Sequence, residues 1–149
     1  MKLKERLIMV ELETDTKEEA ITMLGNQLYE CGYVKDDFVE SVLKREKEFP
    51  TGLATSPFGV AIPHTDGDKV IESQVAFASL KEPVKFHAMG SLNEEIDVKL
   101  IFMLALNDPM EQLEMLQKLT GMFQDEEMVS RLGKIQDTNE FNELIESLG

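Results

Sequence analysis

The stretch Ile96-Asp97-Val98-Lys99-Leu100-Ile101-Phe102-Met103-Leu104-Ala105-Leu106 alternates apolar and charged residues at first, then runs apolar without interruption from Leu100. Alternation marks a half-buried strand, and an unbroken apolar run marks a strand covered on both faces. The segment therefore predicts a central strand with a layer of structure on each side. Upstream of it, Gln74–Leu80 and Val84–Phe86 read as two further strands joined by a turn through Lys81-Glu82-Pro83. Val60-Ala61-Ile62 reads as a short strand, and Leu7–Leu12 as the first.

Downstream of Leu106 the period becomes helical. Asp108 caps, Pro109 takes the first helical position, Glu111 completes a capping box, and Leu113, Leu116, Leu119 and Phe123 form the inner stripe. A short helix around Met128, Val129 and Leu132 ends at Gly133. A final helix, capped by Asp137 or Thr138, buries Phe141, Leu144, Ile145 and Leu148. Near the start, Thr16 with Glu19 fits the capping-box spacing, and Ala20, Ile21, Leu24, Leu28 and Cys31 recur at helical intervals before a stop at Gly32. A second helix begins after Asp36-Asp37, turns Phe38, Val39, Val42 and Leu43 inward, and stops by Phe49 because Pro50 follows. Its run Lys44-Arg45-Glu46-Lys47-Glu48 reads as a solvated face. Pro50 to Pro63, rich in Pro, Gly, Thr and Ser, is a shaped loop. Strands in the middle with helices at both ends predict an α/β fold, a three-layer α/β/α sandwich with a mixed β-sheet.

The 149 residues match one domain, residues 1–149, and a 42% hydrophobic content fills its core. Acidic residues outnumber basic ones 29 to 15, a formal net charge of −14, which repels phosphate backbones and anionic lipid. Nucleic-acid and membrane-surface binding are thereby disfavoured, and encounters with basic partners are favoured. A lone cysteine, Cys31, suits a reducing compartment, read as the cytoplasm. The apolar run Leu7-Ile8-Met9-Val10 is too short for a signal-peptide core, and no stretch reaches the roughly 18 apolar residues of a membrane span.

Two histidines are the candidates for chemistry at neutral pH, and they are not equivalent. His64 follows Val60-Ala61-Ile62-Pro63, so a strand ends at a proline of fixed φ just before an imidazole beside a glycine-rich loop. That is a place where catalytic side chains are presented; it is equally where a polar residue simply follows a strand. His87, next to Phe86, reads as a structural histidine. Asp66 and Asp68 belong to a turn, and neither His-x-x-x-His nor paired cysteines occur, so no metal site is indicated. Glycine-rich nucleotide motifs and the Gly-x-Ser-x-Gly elbow are missing too. Met89, Met103, Met110, Met115 and Met122 read mainly as core filling.

The stretch Arg45-Glu46-Lys47-Glu48-Phe49-Pro50-Thr51-Gly52-Leu53, followed by Val60-Ala61-Ile62-Pro63-His64, resembles the IIA proteins of the bacterial phosphoenolpyruvate-dependent sugar phosphotransferase system, in the fructose/mannitol class (type 2). The order of elements is similar over nearly the whole chain, and Arg-Glu-x-Glu-Phe-Pro-Thr-Gly looks most like the galactitol-type branch. The resemblance implies a phosphotransferase: a histidine takes a phosphoryl group from phosphorylated HPr and passes it to the IIB component, which sends it to the sugar entering through IIC. His64 is the matching nucleophile and Arg45 the matching arginine that steadies the phosphoryl group. A guanidinium suits that task, since phosphoryl transfer depends on positioning and on neutralising the equatorial oxygens. Many relatives carry a second histidine at the start of the helix after the long strand; here Gln112 stands there, able to donate a hydrogen bond to a phosphoryl oxygen but not to add positive charge or take a proton. The residue after the active histidine is commonly Gly and here is Thr65, whose hydroxyl either contacts the phosphoryl group or caps a turn. No metal and no organic cofactor is implied, because both transfers run between protein side chains. The rival implication is a regulatory IIA-like module whose phosphorylation state controls a partner protein.

Overall fold

The computed structural model of the chain describes residues 3–146. Five strands form one mixed sheet in the order β1-β4-β5-β3-β2, with β1 Ile8–Leu12, β2 Gly52–Leu53, β3 Gly59–Ala61, β4 Gln74–His87 and β5 Glu95–Ala105. The pairs β1–β4 and β3–β5 are parallel, and β4–β5 and β2–β3 are antiparallel. The apolar run is indeed central. Ile101, Met103 and Ala105 enter one buried cluster and Leu100, Phe102 and Leu104 the other.

Each cluster is closed by helices. On the first face lie α1 (Lys17–Glu30) and α2 (Phe38–Glu48), contributing Ala20, Ile21, Leu24, Leu28, Phe38 and Val42, all fully buried. On the second lie α3 (Pro109–Met122), α4 (Glu126–Leu132) and α5 (Thr138–Glu146), where Phe77, Phe102, Phe123 and Phe141 meet with ring centroids 4.8–6.1 Å apart. The three-layer α/β/α arrangement follows from strands that bury both faces.

Local chemistry sets the helix ends. Thr16 Oγ1 accepts from the Glu19 N–H at 3.1 Å, Asp137 Oδ1 accepts from Glu140 N–H at 2.9 Å, and α1 gives way at Gly32, whose φ of +83° only glycine adopts without strain. At α3, Asp108 Oδ1 accepts from Met110 N–H behind Pro109, but no reciprocal bond from Glu111 forms among the described residues.

Three expectations need correction. Lys81-Glu82-Pro83 is no turn: β4 runs through it. Its ladder to β5 slips between Ser79 and Val84, and β1 pairs no further than Leu80. The segment bulges out exposed, and Pro83, lacking an N–H, has no ladder bond to lose there. Leu113 is 50% exposed and not part of the inner stripe, because α3 meets the sheet only from Met115 onward, through Met115, Leu116, Leu119, Met122 and Phe123. Glu46 is buried at 3% exposure instead of solvated, since it continues the inward row Phe38–Val42 by one more four-residue step. Leu148 lies outside the described residues.

Candidate functional site

The chain leaving β3 places His64 against the end of the central strand: its backbone pairs with Leu104, whose N–H donates to Pro63 O at 3.1 Å. The imidazole is buried, at 7% exposure, and its Nδ1 stands 2.8 Å from the Ile62 carbonyl oxygen. A carbonyl only accepts, so Nδ1 carries the proton and Nε2 keeps its lone pair. Burial is the main reason the His64 pKa lies below its ordinary 6.5; the hydrogen bond to Ile62 opposes it, the Arg45 charge lowers it further and Asp66 pulls the other way. The neutral imidazole that nucleophilic attack requires is thus favoured.

Helix α2 holds the loop after His64 along one face. Asp37 accepts from Lys69 Nζ at 2.7 Å, Ser41 and Thr65 share a short hydroxyl hydrogen bond, and Arg45 lies 4.0 Å from Asp66. These three helix positions are four residues apart, so one stripe of α2 meets successive parts of one loop. Arg45 also lies over the Phe49 ring at 5.2 Å, and its partly exposed guanidinium acts electrostatically on the His64 imidazole. The Thr65 hydroxyl is engaged by Ser41.

On the next stripe of α2, Glu46 accepts from the Thr51 N–H at 2.8 Å and from the Thr51 hydroxyl at 2.7 Å. The Ile62 N–H then reaches Thr51 Oγ1 at 3.2 Å, extending the Gly52–Ala61 pairing by one residue. Gly52 fits here because a Cβ would stand 2.6 Å from the His87 carbonyl oxygen, where the end of β4 bends round to β2. The signal for Glu46 in the sequence is its four-residue step from Val42, which its charged neighbours mask.

Gln112 sits in the first turn of α3. Its Oε1 is buried with no hydrogen-bond partner among the described residues. The His87 Nδ1 lies 2.9 Å from Lys17 Nζ between α1 and the end of β4. Of the methionines, Met103 is core, Met115 and Met122 pack against it, and Met89 and Met110 are exposed at 49% and 61%. Among the described residues no helix is long and apolar enough to cross a membrane, and no cluster of three His, Cys, Asp or Glu side chains is placed to hold a metal ion.

Residues 1–148 match the family described as "Phosphoenolpyruvate-dependent sugar phosphotransferase system, EIIA 2". The chain is 35% identical over 133 residues to the mannitol-specific EIICBA component of Escherichia coli (strain K12), covering 87% of this chain and 20% of that protein. It is 29% identical over 122 residues to the galactitol-specific EIIA component of the same strain, covering 82% of this chain and 81% of that one. The chain therefore spans about one fifth of the length of the mannitol protein. Among solved structures, the complex of enzyme IIA mannitol with phosphorylated enzyme IIB mannitol from Escherichia coli aligns with a TM-score of 0.80 at 31% identity, over 98% of both chains.

Proposed function

The chain belongs to the EIIA 2 family of the phosphoenolpyruvate-dependent sugar phosphotransferase system, and from that premise we propose that His64 accepts a phosphoryl group from phospho-HPr and passes it to a IIB component. The family is one of phosphotransferases. What the site adds is a named acceptor and a charge to steady it.

The observation that carries the reading is the pairing of His64 Nδ1–H with Ile62 O within electrostatic reach of Arg45. The Nε2 lone pair attacks phosphorus, the bond from phosphorus to the donor breaks, and the electron pair leaves with the donor. As the N–P bond forms, positive charge grows on the imidazole and the Nδ1–H bond to Ile62 strengthens. Arg45 neutralises the equatorial oxygens of the transferring group. Reversal of the same steps delivers the group to IIB. Gln112, on the helix that follows the central strand, is assigned as an additional donor to a phosphoryl oxygen.

The complex formed by the mannitol relative with phosphorylated IIB supports IIB as acceptor. The −14 charge steers the protein toward basic faces on its partners. Phe49, Met110 and Leu113 are exposed apolar side chains on α3 and at the end of α2, and they are assigned to partner docking. We place the protein in the cytoplasm, reaching the membrane only through IIB and IIC, and in a galactitol-like sugar system on the strength of Arg45-Glu46-x-Glu48-Phe49-Pro50-Thr51-Gly52. Phosphate labelling by phosphoenolpyruvate, Enzyme I and HPr, with His64→Ala as control, tests the reading.

A further inference from the structure

Glu46 is a buried acid that the transfer chemistry above does not use. Among the described residues no cation lies within 4.0 Å of it, and both its oxygens go to Thr51. Burial pushes its pKa up, with the two Thr51 hydrogen bonds and the Lys17 charge opposing and Glu18 adding to the rise. A carboxylate placed at that cost for loop anchoring alone is hard to reconcile with where its hydrogen bonds lead.

They lead to the imidazole. The Thr51 hydroxyl donates to Glu46 Oε1 at 2.7 Å and accepts from the Ile62 N–H at 3.2 Å, while the carbonyl of Ile62 accepts from His64 Nδ1–H at 2.8 Å. Ile62 N–H also leans toward Thr51 O at 3.3 Å. Ile62 N–H and Ile62 C=O belong to successive peptide units joined at the Ile62 Cα, so Glu46 and Thr51 fix the backbone residue whose carbonyl holds the imidazole. Glu46, Thr51, Ile62 and His64 are all buried, so each of these bonds is made in a low dielectric, where losing one is costly.

We propose that Glu46 is a positioning residue for His64, acting through the Thr51 hydroxyl and the Ile62 backbone to hold the Ile62 carbonyl on Nδ1–H, which keeps the proton on that nitrogen and stabilises the positive charge that the ring acquires during transfer. The proposal rests on the reading of His64 as phosphoryl acceptor. The charged groups around the two ends are Lys17 and Glu18 on α1, Glu40, Lys44 and Lys47 on α2 and His87 on β4 around Glu46, with Arg45 and Asp66 around His64. The chain is a separate route between these two ends.

The test compares wild type with Glu46→Gln, Thr51→Val and Thr51→Ser. In Glu46→Gln the amide oxygen still accepts from Thr51 N–H while the amide nitrogen donates to Thr51 Oγ1, so the contacts survive but the charge and the direction of the hydroxyl are lost. The ring nitrogens of His64 are followed by NMR across a pH titration, and transfer from phospho-HPr is timed. Glu46→Gln and Thr51→Val are expected to lower the His64 titration midpoint and to slow transfer about tenfold, the rate equivalent of roughly one hydrogen bond to a charged group. The dependence on donor concentration stays as in wild type, and Thr51→Ser behaves as wild type. If the folded variants keep the wild-type midpoint and a rate within about twofold, Glu46 only anchors the loop and the proposal is wrong. Should Glu46→Gln not fold, Thr51→Val against Thr51→Ser decides by the same readouts. The titration needs no phosphoryl donor, so a wild-type protein that took no phosphate would overturn the acceptor role and leave the coupling between Glu46 and His64 to be judged by NMR.

Discussion

His64 Nδ1 donates to the Ile62 carbonyl at 2.8 Å, which commits the ring to one tautomer and leaves Nε2 free to attack. Burial first, and Arg45 second, holds the His64 pKa below 6.5. The imidazole is therefore expected to be neutral in a larger share than a free histidine at any pH near neutrality, and the labelling rate to fall with acid at lower pH than a free histidine would titrate. Stability carries the same sign. The unfolded chain binds the His64 proton more tightly, so this residue's contribution is complete above about 6.5 and is lost as pH falls below it. NMR titration of the ring locates the midpoint, and a midpoint above 6.5 would be the wrong sign.

Arg45 is 38% exposed and touches the fold mainly through Phe49 and Asp66. Arg45→Ala is expected to change unfolding free energy by no more than about 0.5 kcal/mol. Transfer in both directions should slow about 100-fold, the usual scale for removing one donor to a developing charge. Arg45→Lys keeps the charge without the bidentate fork and should fall between the two. Stopped-flow or quench-flow rates with donor and acceptor read this directly; unchanged rates would remove Arg45 from the mechanism.

Gly67 lies where the loop after His64 crosses Asn107, and a Cβ there would stand 2.6 Å from the Asn107 carbonyl oxygen and 2.9 Å from its Cα. Both obstacles are backbone, so Gly67→Ala must displace the loop. The expected cost is about 1–3 kcal/mol in urea unfolding, with slower labelling because His64 moves with the loop.

Met110 and Leu113 are 61% and 50% exposed on the first turns of α3. Their replacement by Asp should leave the thermal midpoint within a few degrees of wild type while raising the donor concentration needed for half-maximal transfer. The loss would sit in association and not in the chemical step. A fall in the saturated rate alone would place these residues outside the docking surface.

Much of this molecule is legible in its sequence because burial leaves a periodic trace. The run Leu100–Leu106 marks the central strand, and Asp108-Pro109 and Thr16 mark helix starts through chemistry that acts within one turn. What misleads is context that arises only after folding. Lys81-Glu82-Pro83 carries turn residues, yet β1 has ended by Leu80, so a bulged strand accommodates the proline. Leu113 keeps the helical period but has no sheet beneath it. At the site, Pro63-His64 and Arg45 are visible as motifs, and the structure brings them together through the stripe Asp37–Ser41–Arg45. Glu46 is hidden because four charged neighbours outweigh one four-residue step, and the Gln112 Oε1 is buried without a hydrogen-bond partner among the described residues.

The most direct measurement is phosphate labelling of the purified protein with phosphoenolpyruvate, Enzyme I and HPr, followed by acid and base treatment. Acid-labile, base-stable phosphate on wild type, its absence from His64→Ala and its retention in His87→Ala are the predicted result. Failure of wild type to label with competent donors, or labelling of His64→Ala at the wild-type level, would contradict the account.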